Sequence, residues 1–154
     1  MQEIYFDRKG NSHKKSTSSK VKNRVSAYGI FKKEDKILLI MNNWSTKFEL
    51  PGGGKKKSET LLGCLKREFK EETGFIPTKI IKTPLEVIKS NFYADDLNQY
   101  FKSKMYFFKI EEVKETKSKT DKSEIKKVVF LPLEMISRKN VKENQVNFIL
   151  NKKN

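Results

Sequence analysis

The stretch from Ser58 to Gly74 constrains the fold of this 154-residue chain more than any other. Ser58 offers a helix N-cap, Gly74 a left-handed stop, and Pro77 follows, so a helix is expected over Glu59 to Thr73. At ~100° per residue, Leu61, Leu62, Leu65 and Phe69 fall on one stripe, with Lys66 and Lys70 opposite. Glu68, Glu71 and Glu72 do not join the lysines; they crowd the edge of the apolar stripe. A helix patterned in this way has to lie against another layer, with its acids at the rim of that contact.

Taken alone, the pattern is unfavourable. Like charges at i,i+3 and i,i+4 repel by roughly a few tenths of a kcal/mol, and desolvation adds more. The acids also stand in the second half of the helix, where the macrodipole disfavours negative charge. A hard divalent cation held by oxygen relieves all three penalties. The other reading is a solvated acidic face paired with neighbouring lysines.

The residues upstream bear on that choice. Leu50-Pro51 leads into Gly52-Gly53-Gly54, where the backbone is free to approach a ligand closely. Gly53, five residues, Glu59, seven residues, then Arg67-Glu68-Phe69-Lys70-Glu71-Glu72-Thr73-Gly74-Phe75 matches every defining position of the 23-residue signature of the Nudix hydrolases, which this stretch resembles. The resemblance extends more loosely to Leu50-Pro51-Gly52 and to the strand order around the motif. It implies an α/β fold of the α/β/α sandwich type with a mixed sheet. It also implies Mg²⁺-dependent hydrolysis, with Mn²⁺ as a substitute, of a diphosphate linkage in a nucleoside diphosphate joined to another group.

Within that scheme Glu71 and Glu72 are the expected principal metal ligands, and Glu68 is a third ligand or the general base. The resemblance suggests the Gly52 carbonyl as a further ligand. Arg67, four residues before Glu71, is placed to orient that carboxylate or Glu59 by a bidentate pair. Glu59 is either a structural contact near the helix start or an outer metal ligand. Outside the motif, Glu124 is a distal ligand or base by analogy with resembling proteins, or an ordinary loop glutamate. Arg24 is a candidate phosphate contact or simply an exposed basic residue. Phe48, Phe92, Tyr93 and Tyr100 are candidates for stacking on a nucleobase, against the alternative that they belong to the core. Cys64 and His13 receive no chemical role.

The rest of the chain reads as one domain, 1–154. Ile4 to Phe6 suggests a short strand, and Asp7 to Arg24, poor in apolar residues, a mobile basic arm or long loop. A hairpin is expected from Val25–Phe31 and Lys36–Met41 around Lys33-Glu34-Asp35. Further strands are expected at Ile80–Lys89, Tyr100–Glu111 and Val128–Leu131, with loops at Phe92–Gln99 and Lys114–Lys127. Short helices are expected near Glu134–Ile136 and within Val141–Leu150. No apolar run approaches the ~18 residues of a membrane span, and the N-terminus lacks the apolar stretch of a signal peptide, so a cytoplasmic location without membrane association is expected.

The single Cys64 rules out an intramolecular disulfide, and with the single His13 it cannot build a four-ligand zinc site, so any metal is held by oxygen. The net charge of +15 attracts phosphate-bearing molecules. Only four of the 34 basic residues are arginine, which also suits a plain lysine-rich solvated surface. Three functions fit: a hydrolase of small nucleotides such as nucleoside triphosphates, dinucleoside polyphosphates or nucleotide sugars; removal of pyrophosphate or a cap from an RNA 5′ end; or a binding module that holds RNA or a nucleotide without cleaving it.

Overall fold

The computed structural model describes residues 3–117 and 123–151. In chain order its elements are β1 (Ile4–Phe6), β2 (Ser12–Lys14), β3 (Val21–Lys33), β4 (Lys36–Asn42), β5 (Gly52–Gly54), α1 (Leu61–Thr73), β6 (Phe75–Ile80), β7 (Glu86–Ala94), β8 (Gln99–Glu115), β9 (Ile125–Pro132) and α2 (Glu143–Ile149). The strands join in one sheet of order β2-β1-β7-β8-β3-β4-β9, with β5 beside β3 and β6 beside β8.

The expected hairpin forms, turning at Glu34, whose φ is 58°. Its strands pair only next to that turn, at Lys32 with Ile37 and Lys33 with Lys36. Beyond it they part: β3 runs parallel to β8 from Val21–Tyr100 to Phe31–Ile110, whereas β4 pairs antiparallel with β9. The sheet is therefore mixed.

Alternate residues of these strands feed two separate cores, as strand geometry requires. On one face Ala27, Phe31, Leu38 and Phe108 meet Leu65 and Phe69 of α1. On the other, Ile30, Leu39 and Phe107 meet Val146 and Ile149 of α2. Because both faces are covered, the strands read as near-continuous apolar runs, Ile37 to Met41 being the clearest. The layering is helix, sheet, helix, as the sequence implied.

Several boundaries differ from the expectations. Residues 7–24 do not form an arm without regular structure: Ser12–Lys14 pairs antiparallel with β1, and Val21 to Arg24 begin β3. The reason is a polar knot and an aromatic stack rather than aliphatic burial. The Asp7 carboxylate accepts the backbone N–H groups of Lys9 and Asn11, each at 2.9 Å, and lies 2.8 Å from His13 Nε2. That contact with His13 holds the Asp7 carboxyl well below the usual range. Tyr5, fully buried, meets Tyr100 edge-on at 5.0 Å, and His13 lies 4.3 Å from Tyr93.

The strand expected at Ile80–Lys89 is divided between the end of β6 and the start of β7, with a break over residues 81–85. β7 continues through the expected loop to Ala94, leaving only a tight turn whose Asn98 has a φ of 48°. β8 extends to Glu115 and β9 begins at Ile125; the middle of the expected 114–127 connection lies outside the described residues. Near Glu134 there is a single 3-10 turn, Leu133–Met135.

Candidate active site

The helix starts two residues later than its sequence suggests. Thr60, not Ser58, is the cap: its Oγ1 accepts the Gly63 N–H at 3.0 Å. Glu59 is kept out of the first turn because its carboxylate is engaged elsewhere. At the far end Gly74 adopts a φ of 78° and donates to the Lys70 carbonyl, the stop expected. Leu65 and Phe69 are fully buried, Glu68 and Glu72 are buried with them, and the Glu71 side chain is 28% exposed. Thus two of the three acids do lie at the buried edge of the stripe.

Arg67 gathers this end of the helix. Its Nε and Nη2 donate to the two Glu59 oxygens at 2.6 and 2.8 Å, a bidentate pair. Its Nη1 donates to Glu68 Oε1 at 2.8 Å and reaches Glu71 Oε2 at 3.4 Å. Its Nη2 also donates to the Gly54 carbonyl at 3.1 Å, tying helix to loop. Arg67 thus contacts both carboxylates that its sequence position suggested, Glu59 and Glu71. The guanidinium, together with the Lys56 N–H, pulls the Glu59 carboxyl down to about 2, and the same carboxylate raises Arg67 further above its already high value.

The glycines let the loop lie directly on these acids. A Cβ on Gly53 would stand 2.6 Å from Glu68 Cδ, and one on Gly52 only 2.1 Å from the Ala27 carbonyl oxygen of β3. The Gly52 N–H donates to Glu72 Oε1 at 2.7 Å. Cys64, for which the sequence suggested no role, is buried under the loop with Sγ 3.4 Å from the Gly53 carbonyl, and burial pushes its thiol up.

Beneath Leu50 and Pro51 lies a polar cluster that sequence reasoning missed. Asn42 Nδ2 donates to Glu49 Oε1 at 2.7 Å, the other Glu49 oxygen forms an ion pair with Lys142, and Gln145 Oε1 accepts the Leu50 N–H at 2.8 Å. These residues couple the loop to the start of α2. The only signal was a charged residue directly before Leu50-Pro51.

The remaining candidates are spread more widely. Arg24 comes close: its guanidinium would lie 3.5 Å from a Cβ on Gly54. Phe48 packs against the α2 core and bridges to Val141. Tyr100 is three residues from Ser103, the β8 partner of Arg24, and so occupies the opposite face of the sheet, against Tyr5 and Tyr93. Glu124 stands just before β9, where its carbonyl accepts the Asn43 N–H.

A mixed sheet covered on both faces, with a glycine loop laid over a carboxylate-edged helix, defines the Nudix type of α/β/α sandwich. The NUDIX domain model matches residues 20–151, and the chain belongs to that family. An ADP-ribose pyrophosphatase of Methanocaldococcus jannaschii is 44% identical over 69 residues, which are 43% of this chain and 40% of that protein, so the likeness spans well under half of the relative's length. Among solved structures, a mutator MutT protein from Bacillus halodurans superposes with a TM-score of 0.66 at 17% identity, covering 82% of this chain and 79% of that one. A MutT NUDIX hydrolase from Burkholderia pseudomallei gives 0.61 at 16% identity, covering 82% and 96%. At these identities the structures speak to fold.

Proposed function

We propose that the chain is a cytoplasmic, single-domain pyrophosphohydrolase that uses Mg²⁺ to cut a diphosphate linkage in a nucleoside diphosphate joined to another group. The observation that carries this reading is the Arg67-centred cluster: Glu59, Glu68 and Glu71 share one guanidinium, Glu72 follows on the same helix, and the Gly52–Gly54 backbone lies against them. Acid exceeds base here in a chain that is otherwise strongly basic.

The donor set fits a hard divalent ion. It consists of carboxylates and carbonyls, and the space a Cβ would fill at Gly53 is what admits the Glu68 carboxylate beside the loop. Among the described residues no three His, Cys, Asp or Glu side chains converge as a finished cage. Mg²⁺ needs only one or two protein carboxylates together with water and substrate phosphates, so a partial set suffices. Glu71 and Glu72 would hold it, with the Gly52 carbonyl as a further ligand. When bound, the ion supplies charge neutralisation at the phosphates and a more acidic attacking water.

The protein's own contribution is positioning and proton transfer. Arg67 fixes the rotamers of Glu68 and Glu71, and its bond to Gly54 holds the loop in register with the helix. Glu68, buried beside Gly53, takes the proton of the attacking water in this scheme, and Glu124 is the alternative base. Arg24, next to Gly54, binds a substrate phosphate. In support of a small nucleotide, a relative that matches over 69 residues is named an ADP-ribose pyrophosphatase.

The test is a panel of ADP-ribose, nucleoside triphosphates, dinucleoside polyphosphates and nucleotide sugars, each incubated with Mg²⁺ and with EDTA. Release of a nucleoside monophosphate from at least one substrate, abolished by EDTA, is expected. No release above the metal-free blank across the panel would sink the hydrolase reading in favour of a binding module.

A further inference from the structure

Strands β3 and β8 run side by side only as far as Phe31 and Ile110. There β3 turns away, and its last residues, Lys32 and Lys33, pair with Ile37 and Lys36 of β4 instead. β8 continues from Glu111 to Glu115, with β6 paired along it. Because Ile110 is registered with both Phe31 and Ile80, β6 lies on the side of β8 away from β3. Among the described residues no strand takes the place that β3 has left. An open strand edge of this kind offers a row of backbone N–H and C=O groups to any extended chain that fits beside it.

The gap opens into a groove of about 860 Å³. Its floor is aromatic: the rings of Phe75 and Phe31 meet Phe130 edge-on, with centroids 6.0 and 6.2 Å away. Phe31 is buried, whereas Phe75 and Phe130 are half-buried at the margin of the core beneath α1. By strand alternation Val113 and Glu115 face the same way as Phe75, and Glu112 faces the opposite way, beside Lys79. An added strand would therefore meet an apolar surface on one face and a carboxylate on the other.

Charge indicates what covers it. Glu34, Glu111, Glu112 and Glu115 line the groove against Lys32 and Lys33, an acidic balance in a chain whose net charge is +15. Glu111 is engaged by Lys79 at 3.1 Å, while Glu34, Glu112 and Glu115 are exposed. At physiological salt the field of remote lysines is screened beyond ~8 Å, so the nearby carboxylates set the local sign. Nucleic acid is repelled from such a lining, and a cationic partner is drawn to it. A second copy of this chain would bring its own +15 with any segment it offered, whereas a short basic segment brings only local charge.

We propose that this groove binds an extended basic segment of a partner protein, which adds as a strand to the open edge of β8 between Glu111 and Glu115. At ~3.3 Å per residue the edge accommodates about five residues. Alternate side chains of such a segment face opposite ways, so its apolar residues cover Phe31, Phe75 and Phe130 while its lysines or arginines reach Glu112. Glu34 and Glu115 receive cations at the ends of the groove. Main-chain hydrogen bonds supply affinity, and the two unlike faces select a sequence in which apolar and cationic residues alternate. None of these residues belongs to the Arg67 cluster, so the docking surface stands whatever reaction that cluster performs.

The experiment titrates the full chain into a fluorescein-labelled peptide KVRVKV at about 0.15 M salt, read by fluorescence anisotropy, beside a peptide of the same composition ordered KKRVVV. The alternating peptide should bind at least about fivefold more tightly. The double variant E112K, E115K should weaken that binding by about tenfold or more while keeping the circular dichroism spectrum. Amide hydrogen exchange should slow at residues 111–115 when the peptide binds, which attraction by charge alone would not produce. Equal affinity for the two peptides, binding unmoved in the double variant, or protection confined to other strands overturns the proposal. Self-association of the chain in sedimentation, with residues 111–115 protected before any peptide is added, assigns the gap to a second copy and overturns it likewise.

Discussion

Arg67 satisfies two demands at once, since the same five N–H groups that restrain three carboxylates also hold the Gly54 carbonyl. Its bidentate partner Glu59 has a folded-state value of about 2 against an ordinary 4.5. The sign follows from that depression: the pair stabilises the fold above pH ~4.5 and loses its contribution as pH falls through about 2. Glu59→Gln should therefore melt below the parent protein at neutral pH, with the two melting curves converging in strong acid; a gap independent of pH would contradict this. Glu71, the most exposed of the three helix acids, has less to lose structurally. Glu71→Gln should keep the circular dichroism spectrum while reducing Mg²⁺-dependent turnover by about a hundredfold or more. Full activity in that variant would defeat the metal-site scheme.

At the level of elements, α1 was legible because periodicity, stop signal and glycine loop agreed. Its start was not, since Ser58 and Thr60 both offer hydroxyls and the choice is made by Glu59 reaching Arg67 eight positions later. Thr60→Ala should cost about 1 kcal/mol in a urea titration, and Ser58→Ala less than about 0.5 kcal/mol; the reverse order would restore the earlier cap. The N-terminal hairpin was illegible for a related reason. Its stability comes from one aspartate knot and from tyrosines contributed by β7 and β8, partners that a local reading of residues 7–24 does not contain. Asp7→Ala should accordingly speed amide exchange in β1 and β2 while leaving β3 protected beyond Arg24. Arg24 lies beside Gly54, whereas the face on which Tyr100 lies depended on strand register that only the paired sheet reveals.

For the molecule as a whole, two cores on opposite faces of one sheet make β3, β4 and β8 common walls. Phe69 fills the α1 side with no exposure and packs against Gly29 of β3. Phe69→Ala should remove about 3–5 kcal/mol by equilibrium unfolding, a large share of the ~5–15 kcal/mol typical of a domain; a loss under about 1 kcal/mol would mean that the helix is not anchored there. The ladder between β3 and β8 joins residues 79 positions apart over its whole length. Contacts of such range form slowly. During synthesis α1 leaves the ribosome well before β8, so the nascent chain carries the carboxylates of the helix while β3 still lacks the parallel neighbour that completes the sheet beneath them.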